Sequence, residues 1–205
     1  MRKALLIVSV AVFGLSFGGG EQAVSTFTDK RDGKVYRIVE ADGQFWMAEN
    51  LNYEAVGSVC YDNKALNCAK YGRLYNWETA MKACPAGFHL PPADEWTALV
   101  DYAGGKVDAS GKKLKSKAGW ADNGNGTDDY GWSALPGGRG YGDGNFGSAG
   151  NNGNWWSASE DNANADYAWY VGMGVGGNNE GANWNYIGKT RLLSVRCVAD
   201  KEGEQ

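Results

Sequence analysis

The 205-residue chain holds one histidine, four prolines and four cysteines. Its 20 Lys and Arg are outnumbered by 24 Asp and Glu, and the net charge is -4. Each scarcity excludes something. Without a basic footprint nothing neutralises phosphates, so nucleic-acid binding is set aside as a function class. The lone histidine, His89, and the absence of Gly-x-Ser-x-Gly around any serine leave no recognisable nucleophile with its base, so no enzyme active site is legible. His89 itself reads as a packed, hydrogen-bonded residue. The longest apolar run, Ala4 to Phe17, falls short of the ~20 residues that span a bilayer as a helix. No cysteine follows that run, which removes a lipoprotein-type leader.

What is plentiful is 31 Gly, 9 Trp and 11 Tyr, with aromatics at 13% of the chain. Glycine at this level loosens a chain, but large rings bury enough apolar area to offset the entropy. A folded core with long, tightly turning loops is expected. At the N-terminus, Arg2 and Lys3 precede the apolar run, then come Gly18, Gly19 and Gly20 and the polar Glu21 and Gln22. This order predicts a signal peptide over residues 1–20 and export to the outside or the cell surface, with no transmembrane segment in the mature chain. Export leads to an oxidising compartment, where cysteines pair. Cys60, Cys68, Cys84 and Cys197 allow three connectivities. The favoured one is Cys60–Cys68, closing a local polar segment, with Cys84–Cys197 tying the middle of the chain to its last strand.

Residues 21–32 read as a polar lead-in, 33–199 as the domain and 200–205 as a solvated tail. Lys34 to Val39 and Gln44 to Ala48 are β-rich runs joined through Asp42-Gly43, a strong hairpin signal. The segment from Cys60 to Cys68 reads as a loop. Leu74, Trp77 and Met81 sit at helical spacing, and that helix ends at Cys84-Pro85. A second helix is expected from about Pro92 to Ala103, with Trp96, Leu99, Val100 and Ala103 on one face and Gly104-Gly105 as its stop. From Gly104 to Gly153 the chain is loop-like, and Trp120, Tyr130, Trp132, Leu135, Tyr141 and Phe146 point to packing of that loop on the core. Short strands are expected over Trp155 to Ser159, Tyr167 to Met173 and Leu192 to Val198. Gly174 to Lys189 reads as an asparagine-rich excursion.

Two clusters carry candidate chemistry. Asp122, Asn123, Asn125, Asp128 and Asp129 offer several oxygens to a Ca²⁺ ion, although Gly126 falls where an EF-hand would place a ligand. Turn formation by Asn and Asp is the competing use of the same residues. Sugar rings stack their C–H faces on Trp and Tyr while amides and carboxylates pair with hydroxyls. The candidate ligand-binding residues are therefore Trp155, Trp156, Asn178, Asn179, Glu180, Asn183, Trp184, Asn185 and Tyr186. At least one of Trp155 and Trp156 should be core, since strand neighbours face opposite ways.

Several phrases stand together in the chain. They are G-R-L-Y-N-W-E-T-A (Gly72 to Ala80), C-P-A-G-F-H-L-P (Cys84 to Pro91), D-E-W (Asp94 to Trp96), G-T-D-D-Y-G-W-S-A-L-P-G-G-R (Gly126 to Arg139), W-W-S-A-S (Trp155 to Ser159), A-W-Y (Ala168 to Tyr170) and S-V-R-C-V (Ser194 to Val198). In combination they resemble the Fibrobacter succinogenes major paralogous domain over roughly residues 27–199. That family resembles, more distantly, the C-type-lectin-like fold of formylglycine-generating proteins. The resemblance implies an α+β domain in which two helices lie beside a small twisted antiparallel sheet with long loops at one end. It also implies a disulfide from the helical region to the last strand. One departure is Pro92, where the family carries a capping Ser or Thr; it predicts a poorly capped helix. Sugar-binding C-type lectins use Glu-Pro-Asn and Trp-Asn-Asp around Ca²⁺, and neither is present. The expected function is a secreted or cell-surface, non-catalytic binding or display module whose partner is a glycan or a surface protein. The alternatives are an enzyme or maturation factor of the formylglycine-generating kind and a purely structural envelope protein.

Overall fold

The structure is a computed structural model that describes residues 25–105, 110–175 and 181–201. The expected signal peptide lies outside the described residues. The chain builds two five-stranded sheets that share one continuous C-terminal segment. In the first, β1 (Ser25–Thr28), β2 (Val35–Ala41) and β3 (Gln44–Met47) form an antiparallel meander. The hairpin expected at Asp42-Gly43 is present, with both residues at positive φ, 53° and 69°, as a turn matching the strand twist requires. The lead-in is not solvated throughout. From Ser25 it pairs with β2, and Asp29 is fully buried, bonded to the Arg31 side chain at 2.7 Å.

A 3₁₀ turn (Tyr61–Asn63) and α1 (Ala65–Tyr71) occupy what reads as a loop in the sequence. Next come β4 (Leu74–Tyr75) and α2 (Trp77–Ala83). The helix starts later than the spacing of Leu74 suggests, because Asn76 caps it by accepting a hydrogen bond from the Thr79 N–H at 2.9 Å. Its buried face is Trp77, Ala80 and Ala83, while Met81 is exposed. After β5 (Phe88–His89), α3 (Ala93–Tyr102) buries Trp96, Leu99 and Val100 as expected. Pro92 offers it no side-chain cap, but Ser159 Oγ, reaching from a distant strand, accepts from the Ala93 N–H at 3.0 Å.

The glycine-rich stretch that follows is packed rather than structureless. It includes α4 (Ser110–Leu114), β6 (Arg139–Gly140) and β7 (Phe146–Gly147), with Trp120 and Trp132 buried. The G-T-D-D-Y-G-W-S-A motif has a physical reason here. A Cβ on Gly126 would stand 2.1 Å from the Lys115 carbonyl oxygen, so only glycine lets this loop cross the end of α4.

The second sheet runs β10 (Asn183–Gly188), β9 (Tyr167–Gly174), β8 (Asn152–Glu160), β11 (Leu193–Ser194), β4. Its pairs are antiparallel except β8 with β11. The last segment then leaves it, and β12 (Val198–Ala199) inserts between β3 and β5 of the first sheet. One apolar cluster, containing Trp46, Trp96, Trp132 and Trp155, lies on one side of β8. A second, containing Trp77, Trp156, Tyr75 and Leu193, lies on the other. Helix α3 belongs to the first cluster and α2 to the second. Each helix anchors to β8 through an indole N–H: Trp96 Nε1 donates to the Trp156 carbonyl at 3.3 Å and Trp77 Nε1 to the Ser157 carbonyl at 2.9 Å. These carbonyls lie where the β8–β9 register shifts, so the helices satisfy groups at the irregularity in the ladder.

Both favoured disulfides are formed, Cys60–Cys68 and Cys84–Cys197. The fold is thus α+β, with few and short helices, curled mostly antiparallel sheets and two disulfides. No helix among the described residues is long and apolar enough to cross a membrane.

Candidate functional site

Trp155 and Trp156 are not surface groups. Both are fully buried, because apolar clusters cover both faces of β8 at these positions: Trp155 points into one and Trp156 into the other. Their indole N–H groups donate to Asn50 Oδ1 and to the Tyr75 carbonyl, at 2.8 and 2.7 Å. Asn178, Asn179 and Glu180 lie outside the described residues. Asn183, Trp184, Asn185 and Tyr186 form no loop. They are consecutive positions of β10, an outer strand of the second sheet. Strand alternation therefore separates the two chemistries that the sequence places together. Trp184 and Tyr186 share one face, and Asn183 and Asn185 the other.

The face carrying Trp184 and Tyr186 is completed by residues that the sequence reading did not select. Tyr186 lies directly opposite Trp169 of β9. Four rings follow one another edge to face: Trp184 against Trp169 at 6.2 Å, Trp169 against Tyr186 at 5.5 Å, and Tyr186 against Tyr167 at 6.0 Å between centroids. The row passes from the core outward. Trp184 packs on the first apolar cluster, whereas Tyr167 and Tyr186 are exposed, Tyr186 at 58%. The inner rings thus hold the outer ones, leaving aromatic surface open on a paired strand edge. The signal in the sequence was weak, since the pairing of Tyr186 with Trp169 depends on a register that no local pattern prints.

Two side chains of the oxygen-rich loop, Asn125 and Asp128, are used internally. Asp122, Asn123 and Asp128 have positive φ, 50°, 58° and 51°. Asp128 accepts from the Ser133 N–H at 2.7 Å and from the Ser133 hydroxyl at 2.6 Å, and Asn125 Oδ1 accepts from the Trp120 N–H at 3.0 Å. Asp122 and Asp129 are exposed. No group of three or more His, Cys, Asp or Glu suited to a metal exists among the described residues. The bonds of Asp128 and Asn125 are turn chemistry.

His89 sits between two carboxylates. Its Nε2 is 2.8 Å from Glu95 Oε2 and its Nδ1 is 2.8 Å from Asp200 Oδ1. The bond to Glu95, and with it that to Asp200, raises its pKa to about 9, so the ring is an imidazolium at neutral pH. Both nitrogens then carry protons and both are engaged, which leaves no lone pair for a general base. The arrangement is a clamp joining β5, the start of α3 and the residue after β12. The expected solvated tail is accordingly tied down at Asp200, whose N–H also donates to the Gly87 carbonyl at 2.9 Å.

A shallow depression of about 250 Å³ lies between β2 and α1, near Lys34, Tyr36, Asn52 and Lys70. It is smaller than the ~300–1,000 Å³ of ordinary small-molecule sites. All four cysteines are bridged, so none supplies a thiolate.

The features define a class: a disulfide-braced α+β domain with an aromatic face on the outer strand pair of its second sheet. The chain belongs to the Fibrobacter succinogenes major domain family, whose model matches residues 39–199. No curated protein and no solved structure matches it.

Proposed function

We propose that the protein is an exported, non-catalytic binding module that holds carbohydrate against the aromatic face of β9 and β10. The observation that carries this reading is the row of Trp184, Trp169, Tyr186 and Tyr167, anchored in the core at one end and open at the other. Pyranose rings present flat C–H surfaces to such rings, and tyrosine adds a hydroxyl that bonds the sugar's own. Two disulfides support export to an oxidising compartment. The arrangement of two sheets, short helices and a C-terminal strand bridged to Cys84 supports assignment to the C-type-lectin-like fold.

The test is affinity electrophoresis and a glycan array with the whole chain. Tyr186→Ala and Tyr167→Ala change exposed positions and should leave the melting temperature within a degree or two. Each should weaken the best polysaccharide ligand several-fold, and the double variant more than ten-fold. Retention of full affinity in the double variant, or no binding to any glycan, would overturn the reading.

A further inference from the structure

Three of the six arginines in the described residues, Arg31, Arg37 and Arg73, pair with carboxylates, at 2.7, 2.5 and 2.9 Å. Arg196 is buried among carbonyls. The other two, Arg139 and Arg191, have no carboxylate within ion-pair distance among the described residues, yet they converge. Their guanidinium carbons lie 5.6 and 4.7 Å from the centre of one ring, Tyr141.

The backbone dictates this meeting. Gly140 and Leu192 form an antiparallel bridge, with reciprocal N–H to carbonyl bonds of 2.8 and 3.0 Å. Residues 139 and 141 then share a face by the period of two, and residue 191 lies across from 141 on that same face. The ring is seated because Gly147 lacks a side chain: a Cβ there would stand 3.0 Å from the Tyr141 hydroxyl. Arg139 Nε lies 3.4 Å from that hydroxyl. The terminal nitrogens of both arginines make no hydrogen bond among the described residues. Asp143 is an exposed residue whose Oδ1 is taken by the Asn145 N–H at 3.0 Å and whose carboxyl that bond, with help from Arg191, holds low.

We propose that Arg139 and Arg191, held against Tyr141, form a fork that binds the carboxylate of an acidic glycan such as a polyuronate. Contact with an aromatic ring restricts a guanidinium without neutralising it and leaves its terminal N–H groups to grip a planar carboxylate. This rests on the carbohydrate reading above and adds the charge of the ligand. On a chain of net charge -4, two half-buried, ordered arginines without carboxylate partners also give an acidic polymer a reason to orient.

The experiment compares polygalacturonate, neutral galactan and dextran sulfate on the whole chain at low salt. Polygalacturonate should bind at least ten-fold more tightly than galactan, and the Arg139→Gln/Arg191→Gln double variant should erase that preference while keeping galactan affinity. In the unaltered protein, the side-chain Nε–Hε NMR signals of Arg139 and Arg191 should shift on adding polygalacturonate, a readout independent of how the variant folds. Equal affinity for acidic and neutral polymers, with galactan still bound, overturns the fork and spares the aromatic face. A preference that survives the double variant, or appears only for dextran sulfate, also overturns it. No binding to polygalacturonate overturns the fork, while the aromatic face stands or falls with the glycan array.

Discussion

Arg196 is fully buried, and its charge is met by dipoles rather than by a carboxylate. It donates to the carbonyls of Met47 at 3.0 Å and Trp132, bonds Asn50 Oδ1 at 2.9 Å, and stacks 3.9 Å from the centre of the Trp132 ring. Burial lowers its pKa to about 9, which still leaves it charged at neutral pH. One side chain thereby fastens the C-terminal segment to β3 and to the tryptophan-rich loop. Arg196→Ala should cost about 3–5 kcal/mol, because it strands buried acceptors and exposes one face of Trp132 to a void. The shift of the urea midpoint checks it, and Arg196→Lys, which cannot span the same acceptors, should recover only part of the loss. His89 makes a smaller and pH-dependent contribution. Its pKa in the folded state is raised from 6.5 to about 9, so the stabilisation is complete below about pH 6.5 and disappears as pH rises through 9. With the ring 32% exposed, solvent screening reduces the effect to about 1–2 kcal/mol. Melting curves from pH 6 to 10 should fall across that window in the native chain and stay flatter in His89→Gln.

At the level of elements, those with strong local signals were legible. The Asp42-Gly43 hairpin and the helix carrying Trp96, Leu99 and Val100 follow from turn chemistry and period alone. Others were decided by partners far away in sequence. Leu74 and Tyr75 join a strand because Ser194 and Leu193 pair with them, which displaces the helix start to Asn76. The missing cap of α3 is supplied by Ser159, 66 residues on. The candidate site was half legible for the same reason. The composition of residues 183–186 pointed to the strand that carries the proposed site, but treating it as a loop merged two faces that alternation keeps apart. Trp169 and Tyr167 were invisible as partners until the register of β9 with β10 was known. Alternation required only one of Trp155 and Trp156 to be core; both are buried because apolar clusters cover both faces of β8 at these positions, a condition set by the helices and not by the strand's own pattern.

For the whole molecule the question is what holds two sheets and long glycine-rich turns in one arrangement. The C-terminal segment crosses from one sheet to the other: Leu51 N–H donates to the Val195 carbonyl at 2.9 Å and Met47 N–H to the Cys197 carbonyl at 3.0 Å. The Cys84–Cys197 disulfide locks that crossing to the end of α2. The two bridges should therefore differ in weight. Closing a loop of 113 residues restricts the unfolded chain by about 5 kcal/mol in the chain-entropy model, and closing one of 8 residues by about 2.5 kcal/mol. Replacing Cys84 and Cys197 together by alanine should lower the unfolding free energy about twice as far as replacing Cys60 and Cys68, as measured by equilibrium denaturation of the oxidised proteins. The sites should also respond differently. The long bridge holds β12 and with it the central frame, so its loss should loosen the aromatic face of β9 and β10 and show as faster amide exchange there. The short bridge braces only the 3₁₀ turn and α1, so its removal should leave exchange in β9 and β10 unchanged. Equal destabilisation by the two replacements would mean that the crossing segment is held by Arg196 and the backbone bonds alone, with the long disulfide a passenger.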